Sequence, residues 1–183
     1  FYLDKGYDFI GFGGLVISSR HHSKKWLDDC FNLICDTPDR MPKVRVHGFG
    51  VTSLAWMLRY PWWSVDSTSW ARAAGLGKIY VPRKKNNKFE FKIKPIVIPI
   101  SDENPTLKNG GGHFESFNKA EKSLILEWLD FVGIPLGNKD ELGVRNDSGS
   151  RRRANLYFFD LLAKEISKEQ RPFSIRKKKG LVL

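Results

Sequence analysis

The period of the apolar positions changes several times along the chain, and the changes outline its elements. Tyr7-Asp8-Phe9-Ile10-Gly11-Phe12-Gly13-Gly14 reads as a buried strand closing in a glycine pair. Trp26, Leu27, Cys30, Phe31 and Ile34 then recur at helical spacing, an amphipathic stripe for which Ser23 is a candidate N-cap. The loop over residues 36–42 leads into Val44-Arg45-Val46-His47, a strand that runs into the turn Gly48-Phe49-Gly50. Residues 52–59 have a helical pattern, and Tyr60-Pro61 stops it, because the residue before a proline avoids helical geometry. Trp62-Trp63-Ser64-Val65 is extended and delivers Asp66 at its carboxyl end. Residues 7–66 therefore read strand, helix, strand, helix, strand, the order of a parallel sheet with crossover helices. The short second crossover fits a (β/α) barrel better than a widely spaced open sheet.

Beyond Trp70 the character changes. Residues 71–74 make a brief helical turn that Gly75 and Gly77 break. Lys78-Ile79-Tyr80-Val81 and Phe89-Glu90-Phe91-Lys92-Ile93 alternate with period two, which predicts a basic hairpin with residues 83–88 as its polar connection. Residues 95–100 continue as an extended apolar run, and 104–112 form a loop around Gly110-Gly111-Gly112. Asn118 with Glu121 resembles a capping box. Leu124, Ile125, Trp128, Leu129 and Val132 give the apolar face of the helix that follows, and Gly133 with Pro135 ends it. Residues 138–149 are a polar turn region. From Arg152, a last helix is traced by Ala154, Phe158, Leu161, Leu162 and Ile166. The basic tail from Gln170 is expected to be mobile.

Composition narrows the classes. A chain of 183 residues can bury a real core in one domain. It begins at Phe1 rather than Met, and we expect a fragment or a processed chain. No apolar run approaches the length of a membrane span, so no membrane partner is expected. Cys30 and Cys35 are too few and too local for a disulfide framework, which makes a reducing, cytoplasmic setting the default, the host cytoplasm if the chain is viral. Thirty-one Lys and Arg against twenty Asp and Glu leave a formal charge of +11. The excess clusters at Lys78, Arg83, Lys84, Lys85, Lys88, Lys92 and Lys94, at Arg151-Arg152-Arg153, and at Arg171, Arg176, Lys177, Lys178 and Lys179. Such patches suit a polyanion, since each neutralised phosphate releases counterions; a merely solvated surface is the alternative.

The candidate chemistry sits at strand ends. Asp66, followed by Ser67, Thr68 and Ser69, is either a catalytic carboxylate or the cap of the next helix. His47 ends its strand, where it contacts substrate, orients a carboxylate, or is structural. Gly13-Gly14 lets backbone approach a flat ligand or makes a tight turn. Trp62, Trp63 and Trp70 wall a pocket or fill the core. His21-His22 falls in a loop and His113 follows the glycine run. No Cys and His spacing makes a zinc site, so no metal is expected.

The order YDFIGFGGL, then VHGFG, then SVDSTSW resembles the carboxyl-terminal half of the tRNA-guanine transglycosylase barrel. HGFGVTS with YPWWSVDSTSW is closer to the phage-type branch associated with deazaguanine modification of nucleic acid. The resemblance covers about residues 7–70. It implies an α/β fold, the carboxyl-terminal portion of a TIM (β/α) barrel over 1–75; the sequence pattern adds a basic β-rich segment over 76–115, a helical extension over 116–170 and a basic tail over 171–183. It implies Asp66 as nucleophile, with Gly13, Gly14, Leu15, His47, Gly48 and Gly50 at the base. The implied activity is a pentosyltransferase that replaces guanine in tRNA or DNA by a 7-deazaguanine through an aspartyl-glycosyl intermediate. Lys84, Lys85, Lys88, Arg151, Arg152 and Arg153 would hold the nucleic-acid backbone, and a homodimer is compatible. The chain departs from the family in two ways: no cysteine follows Asp66, so the zinc site is not found, and Ser67-Thr68-Ser69-Trp70 replaces a proline-threonine-arginine stretch. The aspartates that read the base in that family would lie upstream of Phe1. Two other readings stay open, a non-catalytic nucleic-acid-binding protein and a barrel enzyme gripping the phosphate of a small metabolite.

Overall fold

The computed structural model describes residues 1–15, 20–51, 53–107, 112–168 and 172–174. Thr52, Gly110, Gly111 and the basic residues Arg171 and 176–179, which enter the sequence reading, lie outside these. The chain divides into two compact units, 1–67 with 169–183, and 68–168. Residues 76–168, expected as parts of two separate regions, thus share one unit, which also takes in 68–75, expected with the barrel portion.

The first unit is built on β1 (Phe9–Phe12), α1 (Arg20–Ile34), β2 (Arg45–Gly48), α2 (Leu54–Arg59) and β3 (Ser64–Val65). The strands pair in parallel in the order β1-β2-β3, with Gly11 opposite His47 and His47 opposite Ser64. The three carboxyl ends therefore share one edge. Alternation along the strands sends Phe12 into a buried aromatic cluster. Its ring lies 5.2 Å from Trp26, 5.6 Å from Phe31 and 6.2 Å from Trp62. Phe31 stacks on Tyr60 at 4.8 Å. Tyr60 and Pro61 stop α2 as expected, with Tyr60 extended at φ −111°. Asp28 of α1 receives Arg59 through two nitrogens, at 2.9 and 2.8 Å, and the Tyr60 hydroxyl at 2.8 Å, which ties the two helices together.

Three expectations fail in this unit. Ser23 is no N-cap: α1 begins at Arg20, which places Ser23, buried, inside its first turn. His21 and His22 belong to the same helix rather than to a loop. The tail is not wholly free either. Phe173 is fully buried against Phe31 and Tyr60, and its amide donates to the Arg40 carbonyl at 3.0 Å.

The second unit holds α3 (Ser69–Gly75), β4 (Lys78–Val81), β5 (Arg83–Lys85), β6 (Lys88–Glu90), β7 (Ile96–Pro99), α4 (Lys119–Phe131) and α5 (Ser148–Ser167). The predicted hairpin is differently paired. β4 runs antiparallel to β7, and residues 83–88, expected as a connection, are themselves the β5–β6 hairpin. Asn86 and Asn87 close it with φ of 50° and 60°, the left-handed pair that a two-residue I′ turn needs. The Asn118–Glu121 capping box forms in both directions at 3.0 Å. α5 starts four residues before Arg152, capped by Asp147, which accepts from the Gly149 and Ser150 amides at 3.1 and 2.5 Å. The Ser150 hydroxyl and amide, with the Gly149 amide, hold Asp147 below the usual carboxylate range.

One buried side chain joins these elements. The Asn155 carboxamide accepts from the Tyr80 amide at 2.8 Å and donates to the Lys78 and Trp70 carbonyls at 3.2 and 2.9 Å. The Lys78 carbonyl and Tyr80 amide lie two residues apart along β4, so Asn155 of α5 bonds that edge as a neighbouring strand would.

Two outcomes follow for stability, both read by chemical denaturation. Asn155→Ala strands three backbone groups and should cost about 2–4 kcal/mol, whereas Asn155→Asp, which sets a carboxylate against two carbonyls, should be at least as damaging at neutral pH. Asp147→Ala should cost about 1 kcal/mol at neutral pH. Because the folded-state pKa of Asp147 is depressed, its contribution is present above the ordinary aspartate value and is lost as pH falls through the lower folded value. The difference between Asp147→Ala and the parent protein should therefore begin to shrink as the pH falls below about 4 and be smallest below the depressed folded value.

Candidate functional site at the carboxyl edge of the parallel sheet

Asp66 follows β3 directly, and its carboxylate is already engaged within the first unit. Oδ1 accepts the Gly50 amide at 2.6 Å, and Oδ2 lies 3.8 Å from His47 Nε2. The Asp66 amide donates to the Gly48 carbonyl at 3.2 Å. The helix-cap alternative goes unused: Thr68 holds the N-cap position of α3 and makes no side-chain cap bond there. The Asp66 side chain remains 58% exposed, so a ligand can reach it.

Local sequence explains the placement. Gly50 sits at φ +68°, a backbone region that costs side-chain-bearing residues, and this turn aims its N–H at the carboxylate. Gly48 faces the opposite way. A Cβ there would lie 2.7 Å from Val51 Cγ2 and 2.9 Å from the Trp62 ring. Gly48, expected at the base, is thus a packing glycine on the aromatic side of the sheet, and it meets Asp66 through its carbonyl.

His47 and Ser64 are register partners on neighbouring strands, and His47 Nδ1 lies 2.8 Å from Ser64 Oγ. That bond fixes the imidazole, leaving Nε2 toward Asp66. The His47 ring meets Phe49 edge-on at 4.5 Å. Phe49 is half exposed and lies over Gly11, where a Cβ would come within 2.5 Å of its ring. Gly13 is next along that strand end, its missing Cβ 3.8 Å from the same ring. The sheet edge therefore gathers Gly13, Phe49, Gly50, His47 and Asp66, whereas Gly14 has nothing within 4 Å of its missing Cβ. A carboxylate, an imidazole and an exposed aromatic face beside bare backbone suit a flat heteroaromatic ligand joined to an electrophilic carbon.

No family model matches the chain, and searches of curated proteins and of solved structures return no match.

The remaining expected site residues divide. Leu15 is buried in the core. Of the three tryptophans, Trp62 joins the aromatic cluster with its Nε1 donating to the Trp56 carbonyl at 3.0 Å, while Trp63 is largely exposed. Trp70 belongs to the second unit. Arg151 is corrected: it is 6% exposed, and its guanidinium donates to the Ala74 and Val144 carbonyls at 2.9 Å each, so it holds α3 and the 144 loop to α5 instead of facing a phosphate. Arg152 and Arg153 are exposed. Lys84 is turned onto α4 and pairs with Glu127, whereas Lys85 and Lys88 are exposed. His113 is buried, bonded to the Ser101 carbonyl and the Glu115 amide, and is structural. Burial pushes the Cys35 thiol up to about 11, away from thiolate chemistry. Among the described residues no group of three or more His, Cys, Asp and Glu side chains is placed to hold a metal, and no helix is long and apolar enough to cross a membrane.

Sequence reasoning missed Phe49 and Ser64. Both were findable, since Phe49 lies between the two turn glycines and Ser64 precedes Asp66 by two residues on the same strand face. Gly48→Ala gives a direct check of the site's support. The added methyl should destabilise the first unit by about 1–3 kcal/mol in denaturant titrations, through the contact with Trp62 and Val51.

Proposed function

We propose that the chain is a base-exchange transglycosylase, or the carboxyl-terminal part of one, that replaces guanine in tRNA or DNA by a 7-deazaguanine. The observation that carries the reading is the state of Asp66: a strand-end carboxylate with one oxygen anchored by the Gly50 amide, the other beside His47, and no capping duty. Cleaving an N-glycosidic bond builds positive charge at the sugar C1′, which an ionised carboxylate can capture covalently. In this scheme Asp66 Oδ2 bonds to C1′ as the C1′–N9 bond breaks, and the bond pair leaves with guanine, which takes up a proton. The entering 7-deazaguanine gives up its N9 proton, bonds to C1′ and releases the Asp66 carboxylate. Protons and charge balance over the two halves, and His47, 3.8 Å from Asp66, is placed to exchange the proton. Phe49, exposed over Gly11, offers a face on which a base can stack. The order of the three motifs along the chain supports the same reading.

The test uses the full chain with guanine-containing tRNA, DNA and a labelled 7-deazaguanine base. Incorporation of label and a nucleic-acid adduct that survives denaturing electrophoresis are the expected results. Asp66→Asn keeps an oxygen to accept the Gly50 amide, so the fold should persist while exchange falls by about a thousandfold or more and the adduct disappears. Undiminished exchange in that variant removes Asp66 from the mechanism. Binding without exchange by the parent protein favours the non-catalytic nucleic-acid-binding reading.

A further inference from the structure

The hairpin β5–β6 has two unlike faces. One turns the cross-strand partners Lys84 and Phe89 onto α4. There Phe89 packs on Trp128 and Phe131 at 5.5 and 5.2 Å, and Lys84 pairs with Glu127. The other face carries Arg83, Lys85 and Lys88, all exposed, with Glu90 as the one acidic residue of the two strands. Lys94 extends the row: it is exposed, and its carbonyl accepts from Arg83 Nε at 3.2 Å. Lys85 and Lys88 are in direct register immediately before the turn. Like charges directly opposite are unfavourable by themselves, and an anion between them reverses the sign. Neither lysine has an ion-pair partner among the described residues. The tip beyond them, Asn86-Asn87, is exposed and polar.

We propose that this hairpin is a β-ribbon that enters the major groove of duplex DNA, with Lys85 and Lys88 on the flanking phosphates and Asn86-Asn87 at the base edges. A major groove about 12 Å wide admits a two-stranded ribbon, and an asparagine carboxamide matches the donor and acceptor on adenine. The deep, narrow major groove of A-form RNA does not admit one. Phe89 and Lys84 anchor the ribbon to α4 before any ligand arrives, so little ordering is left for the binding step. The inference shares a nucleic-acid partner with the base-exchange reading, but it does not involve Asp66, and either stands if the other fails.

The experiment is fluorescence anisotropy of the full chain with a DNA duplex, its single strand and an RNA duplex over a salt series. Lys85→Gln with Lys88→Gln should weaken DNA binding by about tenfold or more and reduce the salt slope by about 2. Lys119→Gln with Lys139→Gln, an equal charge change on exposed residues off the hairpin, should leave the slope unchanged. Asn86→Gly with Asn87→Gly keeps the turn; it should retain general affinity and lose discrimination within a randomised duplex pool. Equal losses from the two lysine pairs, absence of duplex binding, or tighter binding to RNA or to the single strand overturns the proposal.

Discussion

Phe31 is the side chain on which the first unit turns. Its fully buried ring meets Phe12 from β1, Tyr60 after α2, Trp62 before β3, and Phe173 from the far end of the sequence. Three short parallel strands cannot hold their own register; the longest here has four residues. Packing must do it, and the aromatic rings supply large apolar area in stiff, few-rotamer side chains. Each strand that ends at the candidate site, or the chain beside it, places a residue on this cluster or against it. Gly48 belongs to the same constraint. Its lack of a side chain lets Trp62 close on β2, and the next strand then delivers Asp66 beside the Gly48 carbonyl.

Much of this was legible from short-range pattern. Helical spacing found α1, α4 and most of α5, and the Tyr60-Pro61 stop lay where a proline puts it. The parallel order of β1, β2 and β3 follows from the alternation of strand and helix. What escaped needed pairing information that local pattern does not carry. Lys78-Ile79-Tyr80-Val81 and Phe89-Glu90-Phe91 have the same period two, yet Asn86-Asn87 closes a tighter hairpin between them and sends β4 to β7. Phe173 is buried across more than a hundred residues of intervening chain, and nothing in its neighbourhood announces it. Arg151 is different, because the signal was present. It lies three, seven and eleven positions before Ala154, Phe158 and Leu162, on the buried stripe of α5, and reading 151–153 as a charge run hid that periodicity.

The same contrast governs the site. Asp66 could be read as catalyst or cap, and no local rule chooses between them. Tertiary geometry shows only that the cap is not used: Gly50, sixteen residues earlier, presents a left-handed backbone amide to the carboxylate, a charge-assisted bond formed at the surface. A carboxylate held this way has one oxygen spent on position, and the other lies beside His47. Ser64 does for His47 what Gly50 does for Asp66: one is the register partner of His47 on the next strand, the other lies in the turn that follows β2.

The charge distribution carries the last step. A formal +11 suggests a broadly cationic surface, but the fold withdraws several cations from it. Arg59 is spent on Asp28, Arg145 on Asp102 and Glu115, Lys84 on Glu127, and Arg151 on backbone carbonyls. Exposed cations remain in both units, among them Lys24, Lys25, Lys43, Arg72, Lys119 and Lys139, and the free face of the β5–β6 hairpin is where three of them, Arg83, Lys85 and Lys88, share one short two-stranded ribbon. Concentration matters because counterion release scales with phosphates contacted together, while scattered lysines each contribute only through a screened field. The net charge alone therefore overstates the cationic area, since part of it is used inside the fold, and it says nothing of grouping such as that on the narrow ribbon braced by α4.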